Sequence, residues 1–245
     1  MAEKKILGIE PVEVGPVDPA SLGSKPLVIF DIDGVLNRIP FSNRYTGPKC
    51  DCLRSAWTWE CIHTSDKNNW VYERTPKNED FFDDIPEGIN DAPGIHALWQ
   101  YSLWISKELA ASLKELSESG KADVVFLSMW SDKTSYLNGY LETKIPYIPV
   151  FRKMSEGEHS AKHRALFDLF EAMNKLGKTI PAFTWTDDVV TASEYGDDIH
   201  EIVSDNFRNH GIEEPASFIL KTETEEGIRR SQWRQLLEFV DIHQQ

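Results

Sequence analysis

Short apolar runs alternate with apolar positions at helical spacing along most of this chain, and that alternation predicts an α/β fold. Leu27 to Phe30 reads as a buried strand that ends where the chain turns polar at Asp31, with Gly34 supplying the backbone freedom for a turn. Leu109, Leu113 and Leu116 recur at helical spacing until Gly120, and a strand over Val124 to Leu127 follows directly. Ser131 or Asp132 is placed to cap a helix through Leu141, and a short strand over Tyr147 to Phe151 comes next. Leu166, Leu169, Phe170 and Met173 mark an amphipathic helix ending at Gly177, before a strand over Ala182 to Thr186. A helix around Ile199 to Phe207, a strand over Phe218 to Lys221 and a closing helix from about Glu226 to Val240 finish the series. Such a series predicts a Rossmann-like parallel sheet with helices on both faces, because crossovers between parallel strands are right-handed and helical.

Two stretches break this rhythm. Residues 1–25 carry Pro11, Gly15, Pro16, Pro19 and Gly23 with little periodicity, and read as an extended N-terminal arm before a domain spanning 26–245. Residues 38 to about 102 are rich in Pro, Asn, Asp and Gly. Five of the eight tryptophans, Trp57, Trp59, Trp70, Trp99 and Trp104, lie within this insertion or at its end. It is expected to be either a cap over a site at the first strand or an irregular insertion whose aromatics give it a small core of its own.

Composition narrows the class. At 245 residues and 40% hydrophobic content the chain is long enough for one sizeable α/β core with an accessory segment. Its apolar runs fall well short of the roughly 20 residues of a membrane helix, and MAEKKILGIEPVEVG lacks the apolar stretch of a secretion signal. Three cysteines, an odd number, argue against a disulfide framework, so a reducing cytoplasm is the expected location. A net charge of -14, from 40 acidic against 26 basic residues, disfavours extended nucleic-acid binding but permits a phosphorylated small molecule or an oligonucleotide end. Basic residues do gather locally, with Arg38, Arg44, Lys49 and Arg54 in one group and Arg152, Lys153, Lys162 and Arg164 in another. Oligomeric state is not legible. No P-loop, Gly-x-Ser-x-Gly elbow or internal repeat occurs.

Candidate chemistry centres on Asp31 and Asp33. Both sit at the C-terminal edge of the first strand, where open α/β sheets bind ligands. One carboxylate of such a pair can attack a phosphorus centre while the other carries protons to and from the leaving group, provided that a cation screens the charge. The alternative is an ordinary turn after a strand, since Asp and Gly are turn residues.

The stretch FDIDGVLN resembles the first motif of the haloacid dehalogenase-like (HAD) superfamily of phosphohydrolases, which predicts three further signals in fixed order. Each has a counterpart: Ser128 in VVFLSMW, Lys162 in HSAKHRALFDLFEAM, and Asp187 with Asp188 in AFTWTDDVV. Residues 27–39 and 104–240 look like the HAD branch found fused to RNA-repair enzymes. Ser-Met-Trp here replaces a more usual Thr-Thr-Trp, which keeps the hydroxyl at Ser128.

The resemblance implies a Mg²⁺-dependent phosphatase working through an aspartyl-phosphate. Asp31 is then the nucleophile and Asp33 the general acid and base, holding a proton near neutral pH for the first step. Ser128 and Lys162 hold the transferring phosphoryl group. Metal ligands are Asp31, the backbone carbonyl of Asp33, Asp187 and Asp188. The substrate is expected to be a phosphomonoester, either a small molecule or a nucleotide; the rival readings are a nucleic-acid end-processing phosphatase and a binding module that keeps the fold without turnover. Separately, Cys50, Cys52, Cys61 and His63 form a set that either binds structural Zn²⁺ or packs as small buried apolar residues. His159, His163, His200 and His210 are expected in surface or capping roles.

Overall fold

The computed structural model describes residues 10–37, 105–151, 158–189, 199–223 and 227–244. The insertion and the cluster of Cys50, Cys52, Cys61 and His63 lie outside them. So do Arg38, Arg44, Lys49, Arg54, Arg152 and Lys153.

Four strands and five helices make up the described fold: β1 (Leu27–Phe30), α1 (Lys107–Glu118), β2 (Asp123–Phe126), α2 (Thr134–Leu141), α3 (Glu158–Lys175), β3 (Ala182–Asp187), α4 (Ile199–His210), β4 (Ala216–Lys221) and α5 (Arg230–Ile242). The strands form one sheet in the order β2-β1-β3-β4, and every pairing is parallel. All four residues of β1 are inaccessible to solvent, as befits an inner strand covered on both faces.

Strand alternation divides the core into two layers. Val28 and Phe30 face one side, where they pack with Leu109 and Leu113 of α1, Leu137 of α2 and Leu236 of α5. Trp233 of α5 stacks on Phe30 with ring centroids 5.7 Å apart. Leu27 and Ile29 face the other side, with Leu166 and Phe170 of α3 and Val203 and Phe207 of α4. Helices therefore cover both faces, the α/β architecture that the alternation predicts. Among the described residues, no helix is long and apolar enough to cross a membrane.

Residues 10–25 pack against this frame. Val17 donates its N–H to the carbonyl of Tyr147 at 2.8 Å, and Val17 and Leu22 are buried beneath Leu27 and Ile29 in the second layer. Lys178 donates from Nζ to the carbonyls of Ala20 and Leu22.

Three local expectations are corrected. The strand expected over Tyr147 to Phe151 reduces to two isolated parallel bridges, of Tyr147 with Phe126 and with Pro16. Ile148 donates its N–H to the Phe126 carbonyl, and on the other side Val17 donates to the Tyr147 carbonyl; Pro149, which faces that same side, has no N–H to extend the pairing with residues 16 and 17. The helix expected to be capped by Ser131 or Asp132 starts at Thr134, because a 3₁₀ turn over Ser131–Lys133 intervenes, and Lys133 at its N-cap position makes no side-chain cap bond. The closing helix starts at Arg230 rather than near Glu226. Gly227 lies in the left-handed region at φ +66° and Arg229 is extended, so the helix begins only where Gln232 accepts the Arg229 N–H.

Candidate functional site

Parallel pairing brings the predicted site residues to one edge of the sheet. The register sets Phe30 beside Phe126 on one flank and Thr186 on the other. Asp31 donates its N–H to the Thr186 carbonyl at 2.9 Å, and Leu127 donates to the Phe30 carbonyl at 2.9 Å. Asp31 thus leaves β1 between Ser128, just beyond β2, and Asp187, the last residue of β3. Residues far apart in sequence, Asp31 with Ser128 and Asp187, become neighbours through register alone.

Lys162, near the start of α3, is fully buried beneath them. Its ammonium donates to Asp31 Oδ2 at 2.7 Å and to Asp187 Oδ2 at 3.0 Å. Each carboxylate is also tied by its other oxygen to backbone: Ile32 N–H donates to Asp31 Oδ1 at 2.7 Å, and Val189 N–H to Asp187 Oδ1 at 2.9 Å. These bonds fix both rotamers, and a buried charge set of this kind is stable only when it is so paired. Burial pushes the Asp31 carboxyl well above its ordinary value of 3.8; Lys162 opposes that shift, while Asp187 and Asp33 add to it.

Asp188 completes an acidic group. One carboxylate oxygen from each of Asp31, Asp187 and Asp188 lies within 4.8 Å of the others. All three donors are hard oxygens, the set that Mg²⁺ accepts, so the residues fit the metal that the sequence motifs imply. The loop after β1 is shaped to admit Asp188. Gly34 has φ +75°, and a Cβ there would lie 2.1 Å from Asp188 Oδ2 and 2.9 Å from its Cβ. Only glycine meets both demands. Thr222, just after β4, donates its hydroxyl to the Gly34 carbonyl at 2.7 Å and its N–H to the Asp187 carbonyl at 3.3 Å, joining the two acidic loops.

Asp33 is set apart from this group. Its Oδ1 accepts from Asn37 Nδ2 at 2.7 Å and its Oδ2 from Trp130 Nε1 at 2.8 Å. Ser128 is buried, with a long 3.5 Å contact from the Trp130 N–H to its Oγ. Of the basic residues near the lysine motif, Arg164 donates to the Phe151 carbonyl. Among the histidines, His163 is corrected: it is buried, edge-on to Trp185 with centroids 4.9 Å apart. His200 is exposed, and His210 lies over Phe167.

Sequence reasoning brought Asp31, Ser128, Lys162, Asp187 and Asp188 to this edge but gave no role to Asn37, Trp130 or Thr222. Their partners lie on other loops or across the sheet, and no local pattern signals such a bond; only Asn37, four residues beyond Asp33, was within reach of a local reading. No known protein family, curated protein or solved structure matches this chain.

Proposed function

We propose that this chain is a Mg²⁺-dependent phosphohydrolase of the HAD-like kind, cleaving a phosphomonoester through an aspartyl-phosphate on Asp31. The observation that carries the reading is the buried Lys162 ammonium shared by Asp31 and Asp187, with Asp188 close enough to complete an oxygen site. A purely structural ion pair needs one carboxylate per ammonium; this edge gathers three.

Asp31, Asp187 and Asp188 would hold the metal, with the Asp33 carbonyl as a further oxygen ligand. When bound, Mg²⁺ supplies positive charge that lets a carboxylate approach a phosphate dianion. The rest is done by side chains. Asp31 Oδ attacks phosphorus, forming one P–O bond as the bond to the leaving oxygen breaks. Lys162 and the Ser128 hydroxyl stabilise the phosphoryl oxygens, where charge develops. Asp33 gives its proton to the leaving oxygen, then takes one from the water that attacks the aspartyl-phosphate, releasing phosphate and restoring Asp31. Each Asp33 oxygen that accepts an N–H keeps a second lone pair on which that proton can travel.

Phosphate release from nucleotides, sugar phosphates, phosphorylated oligonucleotide ends and an aryl phosphate tests the reading. Release with Mg²⁺ that stops with EDTA and in Asp31→Asn is expected, and Asp33→Asn is expected to slow turnover by about 10²-fold or more. Asp33→Asn turning over at the wild-type rate would refute the role given to Asp33. Oligonucleotide ends as the best substrate would select the end-processing alternative, and no release from folded protein would favour a binding module.

A further inference from the structure

Asp33 is gripped from two sides, by its own loop and by the segment beyond β2. Asn37 closes the turn after β1, where Gly34 donates its N–H to the Asn37 carbonyl at 2.8 Å and Asn37 donates to the Ile32 carbonyl at 2.7 Å. That backbone pairing alone would hold the turn, yet the Asn37 amide also reaches Asp33 Oδ1. Trp130 comes from beyond β2, and its ring is packed in the core layer with Phe30 and Leu137. Its indole N–H, 97 residues away in sequence, points at Asp33 Oδ2. Both donors are nearly inaccessible, at 3% for Asn37 and 4% for Trp130, so water does not readily replace either.

A carboxyl group that accepts a hydrogen bond at each oxygen cannot turn about its last torsion without losing one of them. Resting on the phosphohydrolase reading above, we infer that Asn37 and Trp130 are positioning residues that fix the Asp33 carboxyl in the orientation from which it protonates the leaving oxygen. Neither touches the reacting atoms. Trp130 ties this orientation to the same loop that carries Ser128, so the proton donor and the phosphoryl-binding hydroxyl keep one relative placement.

A merely structural role and a positioning role separate by leaving group. An alkyl phosphate needs a proton on its departing oxygen, whereas a nitrophenyl phosphate departs without one. Trp130→Phe keeps an aromatic ring in the core and deletes the N–H; Asn37→Ala deletes the other donor and serves as a second variant should the first fail to fold. In full-length protein with Mg²⁺, kcat/KM for the alkyl phosphate is expected to fall roughly tenfold to a hundredfold in either variant, the loss typical of a misplaced group. For nitrophenyl phosphate, kcat/KM is expected to stay within about threefold. In an Asp33→Ala background, Trp130→Phe should add no further leaving-group dependence, since its partner is gone. Equal losses on both substrates, or alkyl turnover that is unchanged or faster, would overturn the inference. Wild type inert toward both substrates would instead overturn the phosphohydrolase reading, and the inference with it, before any variant is compared.

Discussion

Taking an ammonium out of water costs several kcal/mol, and Lys162 meets that cost through two carboxylates within 3.0 Å. The converse also holds: Asp31 and Asp187 are buried around this one cation. Lys162→Met therefore leaves two close carboxylates without their counter-charge. In EDTA at neutral pH the variant is expected to lose about 3–5 kcal/mol in urea unfolding, a loss that shrinks in acid as a carboxyl protonates. Equal stability of variant and wild type at neutral pH would mean that the pairing is not what holds the carboxylates. At the same scale Gly34 has two reasons to be glycine, a left-handed backbone and the approach of Asp188, and only the first is readable from Asp-Gly in the sequence.

The elements carry these residues to one place, and Thr222 shows how. Its hydroxyl links the loop after β1 to the end of β4, across β3. Thr222→Val keeps the shape and leaves the Gly34 carbonyl buried without that donor, so a loss of about 1–3 kcal/mol is expected by thermal or urea unfolding. The same change is expected to weaken Mg²⁺ binding by titration calorimetry; unaltered binding would show that the Gly34 loop does not depend on this tie. The sheet itself was legible, since buried parallel strands appear as short apolar runs such as Leu27 to Phe30 and Ala182 to Thr186. The acidic residues at their ends were legible for the same reason. Less legible were boundaries governed by backbone chemistry: Pro149 stops a pairing that Tyr147 begins, and left-handed Gly227 delays α5. Asn37, Trp130 and Thr222 escaped because their roles are set by contacts that the folded register creates. His163 was misjudged because a histidine inside an amphipathic helix gives no sign of which neighbour covers it.

For the molecule as a whole, the candidate site sets stability against function. Burial raises the Asp31 carboxyl above 3.8, so the folded chain holds that proton more tightly than the unfolded chain does. The sign follows from linkage: this group's contribution is fully present below the unfolded value and is lost as pH rises from about 4 through the raised folded value. Asp31→Asn removes that loss. In EDTA its Tm relative to wild type is expected to climb as pH rises above about 4, and Mg²⁺ is expected to raise the wild-type Tm more than the variant's. A Tm difference that stays flat over that rise in pH would contradict the burial argument. The net charge of -14 acts in the same direction, since a bound divalent ion relieves repulsion among carboxylates that the fold itself brings together.

The central claim is that Asp31 becomes transiently phosphorylated, and acid quenching during turnover followed by peptide mass spectrometry tests it most directly. With Mg²⁺ and the best substrate of the panel, one phosphoryl group is expected on the peptide containing Asp31, absent in EDTA and in Asp31→Asn. Sustained phosphate release with that peptide unmodified at every quench time, or with Asp31→Asn as active as wild type, would contradict it.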